Sequence, residues 1–359
     1  SSLKTLLLPN IPNEFTIGNN FCDSCTTLTV ADLDLSCLTN VTTIGTNFFS
    51  NCTGLVDLDV SECFNKVTAI GSDFFSNCIN LTELNLNSLC GISSIPTNFL
   101  HNCTGLTKLD LHGLSKITTI ADSFLNSCTN LQKLDLSGLN SLKTIPANFL
   151  SGLVNLVKLN LDGLTSVETI DDNFLSGCTS LTELDLNDLT NVTTLSDNFL
   201  NGLTNLELLE MENLTKVTTI KDNFLSGCTS LLQLDLDGWT GVESIGESFL
   251  QNCESLEDLL INGWTKITEI PKNFLYGCKS LLVLDLGSWE NVAKVGNNFL
   301  SGCENLQILS IADWVNVTEI PDNFLNGCTT LIEAYLNGWE KVETIGSYFL
   351  SGCESLETL

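Results

Sequence analysis

The stretch Asn173-Phe174-Leu175-Ser176-Gly177-Cys178-Thr179-Ser180-Leu181-Thr182-Glu183-Leu184-Asp185-Leu186 recurs in variant form along the whole 359-residue chain. Its phenylalanine returns after 27, 26 and 25 residues near the start, and every 25 residues from there on. The fourteen copies are Phe21, Phe48, Phe74, Phe99, Phe124, Phe149, Phe174, Phe199, Phe224, Phe249, Phe274, Phe299, Phe324 and Phe349. A fixed period of this length predicts one small structural unit stacked about fourteen times.

Leucines in the order L-x-x-L-x-L at this period predict a single leucine-rich-repeat solenoid over 1–359, with irregular coils in 1–98 and regular ones in 99–359. Alternation predicts that Leu181, Leu184 and Leu186 point inward from a strand. The β-branched segment 192–195 predicts a second strand. The Asn-Phe-Leu segment predicts about one turn of helix, closed by Gly177 with a positive φ. The fold class is therefore mainly β coils with short helical turns.

Most cysteines share one repeat position, which two coils fill with Leu153 and Leu203. Because leucine is accepted there, we interpret the column as reduced thiols in the core. Four cysteines lie off the column, namely Cys22, Cys37, Cys63 and Cys90. Cys37 and Cys63 follow equivalent strands, so they are the candidate disulfide, which would imply an oxidising, extracellular setting.

Other columns have structural and functional interpretations. The five tryptophans, Trp239 to Trp339, occupy one position, which favours a bulky core corner over an aromatic strip for sugars or another subunit. An asparagine column that includes Asn173 and Asn198 predicts an amide ladder between coils. An acidic column that includes Asp185 and Asp235 predicts solvated charge, with a calcium site as the alternative.

The outward strand positions change character along the chain. Early coils place Lys108, Asp110, Lys133 and Asp135 there. Later coils place apolar residues at outward positions, and apolar residues on an exposed sheet are typical of a contact surface. The candidate binding face therefore consists of Leu208, Leu260, Val283, Ile308 and Tyr335.

Composition excludes several functions. The net charge is −29, with 43 acidic residues, and all 14 basic residues are lysine. Such a chain is repelled by phosphate backbones, which argues against nucleic-acid partners. No apolar run reaches the length of about 20 residues that a membrane-spanning helix needs, so we expect no membrane insertion within this chain. With two histidines and no nucleophile–base set, phosphate loop or metal cluster, we expect neither an enzyme nor a cofactor.

Among the Asn-x-Ser/Thr sequons, three share a repeat position that is otherwise filled by Lys, Ser, Gly or Asn. That position should face solvent, so these asparagines are the candidate N-glycosylation sites if the protein is secreted. They are Asn40, Asn191 and Asn316.

The pattern Phe-Leu-x-Gly-Cys-x-x-Leu-x-x-Leu-x-Leu, followed by Val-x-x-Ile, resembles BspA-type leucine-rich repeats of surface proteins, including related repeats of mycoplasma lipoproteins and protist surface families. The resemblance spans all coils. It implies an extracellular or cell-surface location, adhesion, and binding to host or matrix proteins. No catalytic or ligand residue carries over from it.

Two functional hypotheses follow. The chain starts and stops at the same repeat phase without a polar cap, so we expect either that the array continues beyond these residues or that the tail of one copy meets the head of another. The first hypothesis is a non-enzymatic structural or adhesive solenoid, and in the second of these cases it would assemble head-to-tail into filaments. The second is a monomeric module that recognises a protein or glycan through its concave face.

Overall fold

A computed structural model of the chain describes residues 3–9, 11–29, 33–60 and 62–359, including all of their side chains except those of residues 7, 33, 34, 36 and 37. The chain forms two compact units. Unit 1 comprises Ser1–Thr169 and Cys178–Leu181, and unit 2 comprises Ile170–Gly177 and Thr182–Leu359. Each unit is a β-solenoid with a 25-residue coil, and the described residues form about 13 turns.

Unit 1 contains one short 3₁₀ helix, Ser36–Asn40, among its described residues. Its strands are β1 Leu6–Leu7, β2 Phe15–Ile17, β3 Leu33–Asp34, β4 Val41–Ile44, β5 Asp57–Asp59, β6 Ala69–Ile70, β7 Glu83–Asn85, β8 Ser94–Ile95, β9 Lys108–Asp110, β10 Thr119–Ile120, β11 Lys133–Asp135, β12 Thr144–Ile145 and β13 Lys158–Asn160.

Strand β14, Thr169–Ile170, falls at the division between the units. The strands of unit 2 are β15 Glu183–Asp185, β16 Thr194–Leu195, β17 Leu208–Glu210, β18 Thr219–Ile220, β19 Gln233–Asp235, β20 Ser244–Ile245, β21 Asp258–Leu260, β22 Glu269–Ile270, β23 Val283–Asp285, β24 Lys294–Val295, β25 Ile308–Ser310, β26 Glu319–Ile320, β27 Glu333–Tyr335 and β28 Thr344–Ile345.

From β5 onward, the coils contribute alternating three-residue and two-residue strands, and strands of each kind pair in parallel with counterparts in neighbouring coils. The strands of the earlier coils have two to four residues. In unit 1, β5, β7, β9, β11 and β13 form a continuous sheet. In unit 2, β23, β25 and β27 form the longest sheet of three-residue strands, and β16, β18 and β20 pair through the shorter ones. The register is 25 residues, so Leu284 pairs with Leu309 and Leu309 with Ala334. The two-strand coil predicted from the sequence is confirmed.

The core lies between the two strands of every coil. In unit 2, Leu231, Leu234 and Leu236 are at most 2% exposed, as the alternation predicts for inward positions. A fully buried leucine side chain contributes about 1.5–3 kcal/mol relative to an exposed one. Because every coil repeats this triplet, hydrophobic burial is spread evenly along each unit.

The anchoring phenylalanines stack into columns inside each unit. In unit 1, the ring centroids of Phe74 and Phe99 lie 5.6 Å apart with nearly parallel planes. In unit 2, the rings of Phe249 and Phe274 are stacked at 5.3 Å. These offset-stacked contacts are the favoured arrangement of aromatic pairs. The stacked phenylalanines confirm the prediction that the 25-residue repeats form stacked coils.

The segment after each short strand is a series of turns, and the predicted helical turn is absent from it in the described regular coils. In one coil of unit 2, Asn223, Leu225 and Gly227 have φ values of 61°, 53° and 78°. The backbone N–H of Ser226 donates to Asn223, and that of Cys228 donates to Leu225, which closes two successive turns. A helix requires negative φ at every residue, so alternating positive values exclude it.

Contacts with neighbouring coils fix this unusual backbone. The amide of Leu225 donates to the carbonyl of Phe199 in the preceding coil, while that of Gly227 donates to Gln251 in the following coil. Glycine at φ 78° is unstrained, and the prediction of a positive φ at the glycine column is confirmed. A bulky leucine at φ 53° is uncommon and persists only where its surroundings determine its conformation.

Candidate binding face

The three-residue strands of unit 1 present charged and polar side chains to solvent. The outward residues of β5, β7 and β9 line a shallow groove made of Asp57, Asp59, Glu83, Asn85, Lys108 and Asp110. Lys108 reaches the carboxylate of Glu83 at 3.3 Å. Both side chains are exposed, so this ion pair contributes little to stability.

In unit 2 several of the same strand positions carry apolar side chains. Val283 on β23 pairs directly with Ile308 on β25, and their side chains are 49% and 37% exposed. Tyr335 on β27 follows in the same sheet beside Ser310 and is also exposed. Three of the five predicted residues therefore lie on one continuous sheet.

The other two predicted residues lie on separate strand pairs. Leu208 on β17 faces Glu183 on β15, and Leu260 on β21 faces Asp235 on β19. Both leucines are exposed. The register partner of each leucine is acidic. Leu208 and Leu260 are therefore further exposed apolar residues of unit 2, but they do not belong to the sheet that contains Val283 and Ile308.

Two further exposed apolar residues beside these strands were not predicted from the sequence, because each directly precedes its strand. Leu282 and Ile332 are 41% and 38% exposed, although each follows a buried core leucine directly. The amide of Leu282 donates to the carbonyl of Glu257, and the amide of Ile332 donates to that of Gln307, so this position stacks from coil to coil. Leu232 is exposed at the same position. The alternation of inward and outward side chains applies only within a strand, so it does not predict the exposure of the residue immediately before the strand.

We name this surface the apolar strand face. It comprises Leu282, Val283, Ile308, Ile332 and Tyr335.

Acidic groups surround the apolar strand face. Asp258 and Asp285 lie at outward strand positions, and within the described residues neither carboxylate has a lysine in ion-pair range. Two lysines of the coil that contains Val283 are ion-paired: Lys279 with Glu254 at 2.9 Å, and Lys294, on the shorter strand β24, with Glu269 at 3.7 Å. The rim of the face is therefore negatively charged.

Tyr335 carries the polar end of the face. Its hydroxyl donates to the carboxylate of Glu333 on the same strand. That hydrogen bond raises the pKa of the Tyr335 phenol, so the hydroxyl keeps its proton and the ring remains neutral at physiological pH.

The acidic strand column has a structural role that the sequence prediction missed. The carboxylate of Asp235 accepts the backbone N–H of Asp237 at 3.0 Å, and Asp285 accepts that of Gly287 at 2.9 Å. Asparagine at this position does the same, as Asn160 shows with Asp162 in unit 1. A side chain that bonds the backbone two residues on stabilises the turn after each strand. In the described part of the chain, no three metal-binding side chains converge.

The cysteine column is buried and hydrogen-bonded to the backbone. Cys278 is fully buried, and its thiol donates to the carbonyl of Leu250 in the preceding coil at a Sγ–O distance of 3.1 Å. Burial raises the pKa of this thiol to about 12. The column members from Cys52 to Cys328 are buried free thiols, as the interpretation as reduced core thiols predicts. Cys63 is buried, but the side chain of Cys37 lies outside the described side chains, so their disulfide stays a prediction.

The tryptophan column forms a bulky corner of the core, which is the interpretation that the sequence favours. Trp239, Trp264, Trp289 and Trp314 are fully buried, and the indole N–H of Trp264 donates to the carbonyl of Leu236 at 3.1 Å. An aromatic strip for stacking on sugars requires exposed rings. These four rings are therefore unavailable to a ligand.

The sequon asparagines are half-buried and engaged by lysines of the next coil. The ammonium group of Lys341 donates to the side-chain oxygen of Asn316 at 2.9 Å, and Lys216 contacts Asn191 in the same way. At Asn40 the side-chain nitrogen, which is the atom a glycan would modify, already donates to the carbonyl of Ile11 at 2.9 Å. The three positions are less open than the sequence suggests.

Comparisons with known proteins agree with this architecture. The family model described as "BspA type Leucine rich repeat region (6 copies)" matches residues 1–66, 42–165, 143–282 and 243–359. No curated protein matches this chain. Within the described residues, no helix has the length and apolar character needed to cross a lipid bilayer.

Similar solved structures include two bacterial leucine-rich proteins. A leucine-rich repeat protein from Bacteroides ovatus is 19% identical, with a TM-score of 0.60, and the match covers 88% of this chain and 81% of that one. A leucine rich cell surface protein from Faecalibacterium prausnitzii is 22% identical, with a TM-score of 0.48, and 82% of this chain and 83% of that chain are covered. The Bacteroides likeness concerns the fold. The family match extends over the whole length of the chain, and the chain therefore belongs to the BspA-type leucine-rich-repeat family.

Proposed function

We propose that this protein is a non-enzymatic, surface-displayed adhesive solenoid that binds a protein partner through the apolar strand face of unit 2. The observation that carries the proposal is the exposure of Val283 and Ile308, paired in register at positions where unit 1 has Lys108 and Lys133. Clustered exposed apolar residues with a polar rim are typical of protein contact sites. The surface location is supported by membership in a family whose repeats occur in surface proteins.

Charge defines the kind of partner. Residues 181–359 carry 27 acidic residues against 7 lysines, and the two lysines of the coil that contains Val283, Lys279 and Lys294, are ion-paired. A second copy of the same face would bring like charges together, which costs several kcal/mol at an interface. A partner with an apolar centre and a basic rim satisfies both features of the surface.

A direct test uses a synthetic peptide of alternating lysine and valine as the probe, with fluorescence anisotropy as the measurement. Peptides of lysine and serine, and of glutamate and valine, separate the contributions of charge and apolar contact. The wild-type protein should bind the lysine–valine peptide more tightly than either comparator.

The matched variants are a triple change, Leu282→Thr, Val283→Thr and Ile308→Thr, and a single change in unit 1, Val157→Thr. Val157 is 42% exposed and occupies the same repeat position as Leu282. The triple variant should lose at least tenfold in affinity while Val157→Thr binds like wild type. Equal binding by all three proteins would reject the proposed face, provided circular dichroism shows that each is folded.

Head-to-tail assembly into filaments is the second proposal. It is supported by apolar side chains that are exposed in the last described coil, including Ile345 and Tyr348. Further coils of a longer chain would cover the same side chains. Electron microscopy of the purified protein at micromolar concentration separates the two cases, because filaments support assembly and isolated short particles contradict it.

Glycosylation belongs to the same proposal of surface display. Asn316 is a better candidate acceptor than Asn40, since the Asn316 side-chain oxygen contacts Lys341 while the Asn40 side-chain nitrogen donates to the carbonyl of Ile11. Glycopeptide mapping after secretion from a eukaryotic host should find the glycan at Asn316 more often than at Asn40. Equal or reversed occupancy would contradict this ranking.

A further inference from the structure

Two cysteines occupy one turn in the first described coil. Cys25 belongs to the buried cysteine column, and Cys22 stands where the following coils have Phe49, Phe75 and Leu100. Cys22 shares their left-handed backbone, with φ 54°. This coil therefore follows the turn geometry of the array, with a second thiol in place of an apolar side chain.

The turn brings the two thiols together. The backbone N–H of Cys25 donates to the carbonyl of Cys22 at 3.2 Å, so they are the first and fourth residues of a hydrogen-bonded turn. The Cα atoms at these positions of a turn lie within about 7 Å, and a disulfide spans about 4.4–6.8 Å between Cα atoms. The nearby side chain of Cys25 also contributes to the raised pKa of the Cys22 thiol.

The surroundings distinguish Cys22 from the cysteine column. Column thiols such as Cys78 are fully buried and donate to a carbonyl of the preceding coil. Cys22 is only half-buried, so a reagent can reach it. Its carbonyl accepts the thiol of Cys52 at 2.9 Å, which ties this turn to the next coil. The pair thus has one accessible thiol, Cys22, beside a buried one, Cys25, and its turn is held in place.

We propose that Cys22 and Cys25 form an intramolecular disulfide that locks the first described turn of the array. The oxidant is a disulfide of the glutathione class. The Cys22 sulfur attacks oxidised glutathione and releases one glutathione, and the Cys25 sulfur then displaces the second. Two thiols are oxidised, one disulfide is reduced, and the two protons leave with the two glutathione molecules.

The environment favours a structural bond over a redox-cycling one. Burial raises the pKa of the Cys22 thiol to about 12, so the reduced pair gains no stability from a thiolate. Strongly oxidising disulfides belong to proteins whose reduced form is stabilised, often by a thiolate of low pKa. Formation is slow at neutral pH for the same reason, and it is complete only in an oxidising environment.

The test is peptide mapping of the full chain after incubation with oxidised glutathione and capping of the remaining thiols with N-ethylmaleimide. A protease that cuts before aspartate separates the two cysteines at Asp23. Wild type should yield residues 1–22 cross-linked to residues 23–31. The Cys22→Ser variant should lose this cross-link, and Cys90→Ser, which removes an exposed cysteine of another coil, should keep it.

Two results of the same peptide mapping would contradict the Cys22–Cys25 disulfide. Recovery of Cys22 and Cys25 as two capped thiols would overturn the inference, and so would a cross-link from either residue to the peptide that contains Cys52. None of these outcomes depends on the binding role of unit 2, since the disulfide and the apolar strand face are tested with different variants.

Discussion

The thiol of Cys228 donates a hydrogen bond to the backbone carbonyl of Leu200 in the preceding coil, with 3.2 Å between sulfur and oxygen. Leu200 has a left-handed backbone, with φ 56°. The cysteine column therefore contacts the unusual turn directly, because each column thiol from Cys128 to Cys353 donates to the carbonyl of a leucine with positive φ. Leu203 fills the column without a donor, so packing alone is tolerated there.

Replacing Cys228 by alanine should lower the free energy of unfolding by about 1–3 kcal/mol, because a hydrogen bond and buried volume are both lost. Urea denaturation followed by circular dichroism measures the change. Cys90→Ala is the control, since Cys90 is exposed, and it should stay within about 0.5 kcal/mol of wild type. An unaltered midpoint for Cys228→Ala would mean that the thiol bond contributes nothing.

Alkaline pH should destabilise the protein. Burial raises the pKa of Cys228 and Cys278 from 9.0 to about 12. Below pH 9 the thiols are protonated in folded and unfolded chains alike, so their contribution to stability is fully present. Between pH 9 and pH 12 only the unfolded chain readily loses these protons, and stability falls as pH rises.

Thermal melting across this range tests the linkage. Replacing Cys228 and Cys278 by leucine, which the column already accepts at Leu203, should reduce the decrease in Tm between pH 9 and pH 12. If the variant and wild type lose the same Tm, other groups govern the alkaline transition.

The glycine column should tolerate asparagine and reject valine. Gly327 has φ 81°, and Asn252 occupies the equivalent position in another coil at φ 58°. An added Cβ at Gly327 would meet its nearest neighbours, backbone atoms of Gly302, at an ordinary van der Waals distance of 3.8 Å, so backbone strain is the main cost. Gly327→Val should cost about 1–2 kcal/mol of unfolding free energy. Denaturation midpoints that agree for Gly327→Val and Gly327→Asn would show that φ is unimportant here.

The amide ladder should contribute measurable stability to unit 2. The side-chain nitrogen of Asn198 donates to Asn173 at 2.8 Å, and its oxygen accepts from Asn223 at 2.9 Å. Asn198→Gly keeps the positive φ of 58° available while it removes both bonds. The expected loss is about 1–2 kcal/mol in urea denaturation. A variant as stable as wild type would assign the column to backbone conformation alone.

Periodicity predicts much of the fold for a physical reason. Phe249 and Phe274 are 25 residues apart because equivalent side chains of stacked coils must occupy one column, and Leu234 is buried because strands alternate. The helical turn was predicted wrongly at residues such as Leu225. Leucine avoids positive φ in isolation, and only hydrogen bonds to other coils hold it there.

The binding face was predicted in part. Val283 and Ile308 follow from strand alternation, since both sit at outward positions of predicted strands. Leu282 and Ile332 could not be assigned in this way, because they precede their strands and follow buried leucines. Their exposure depends on where the chain enters the strand, which the turn geometry of the folded coil determines.

The central claim, that the apolar strand face is the contact surface of unit 2, is tested most directly by hydroxyl-radical footprinting with and without the lysine–valine peptide. This measurement reports the exposure of individual side chains. Binding should lower the labelling of Leu282, Val283, Ile308, Ile332 and Tyr335 and leave Val157 and Ile79 of unit 1 unchanged. Protection confined to unit 1, or unchanged labelling of all five residues at saturating peptide, would contradict the claim.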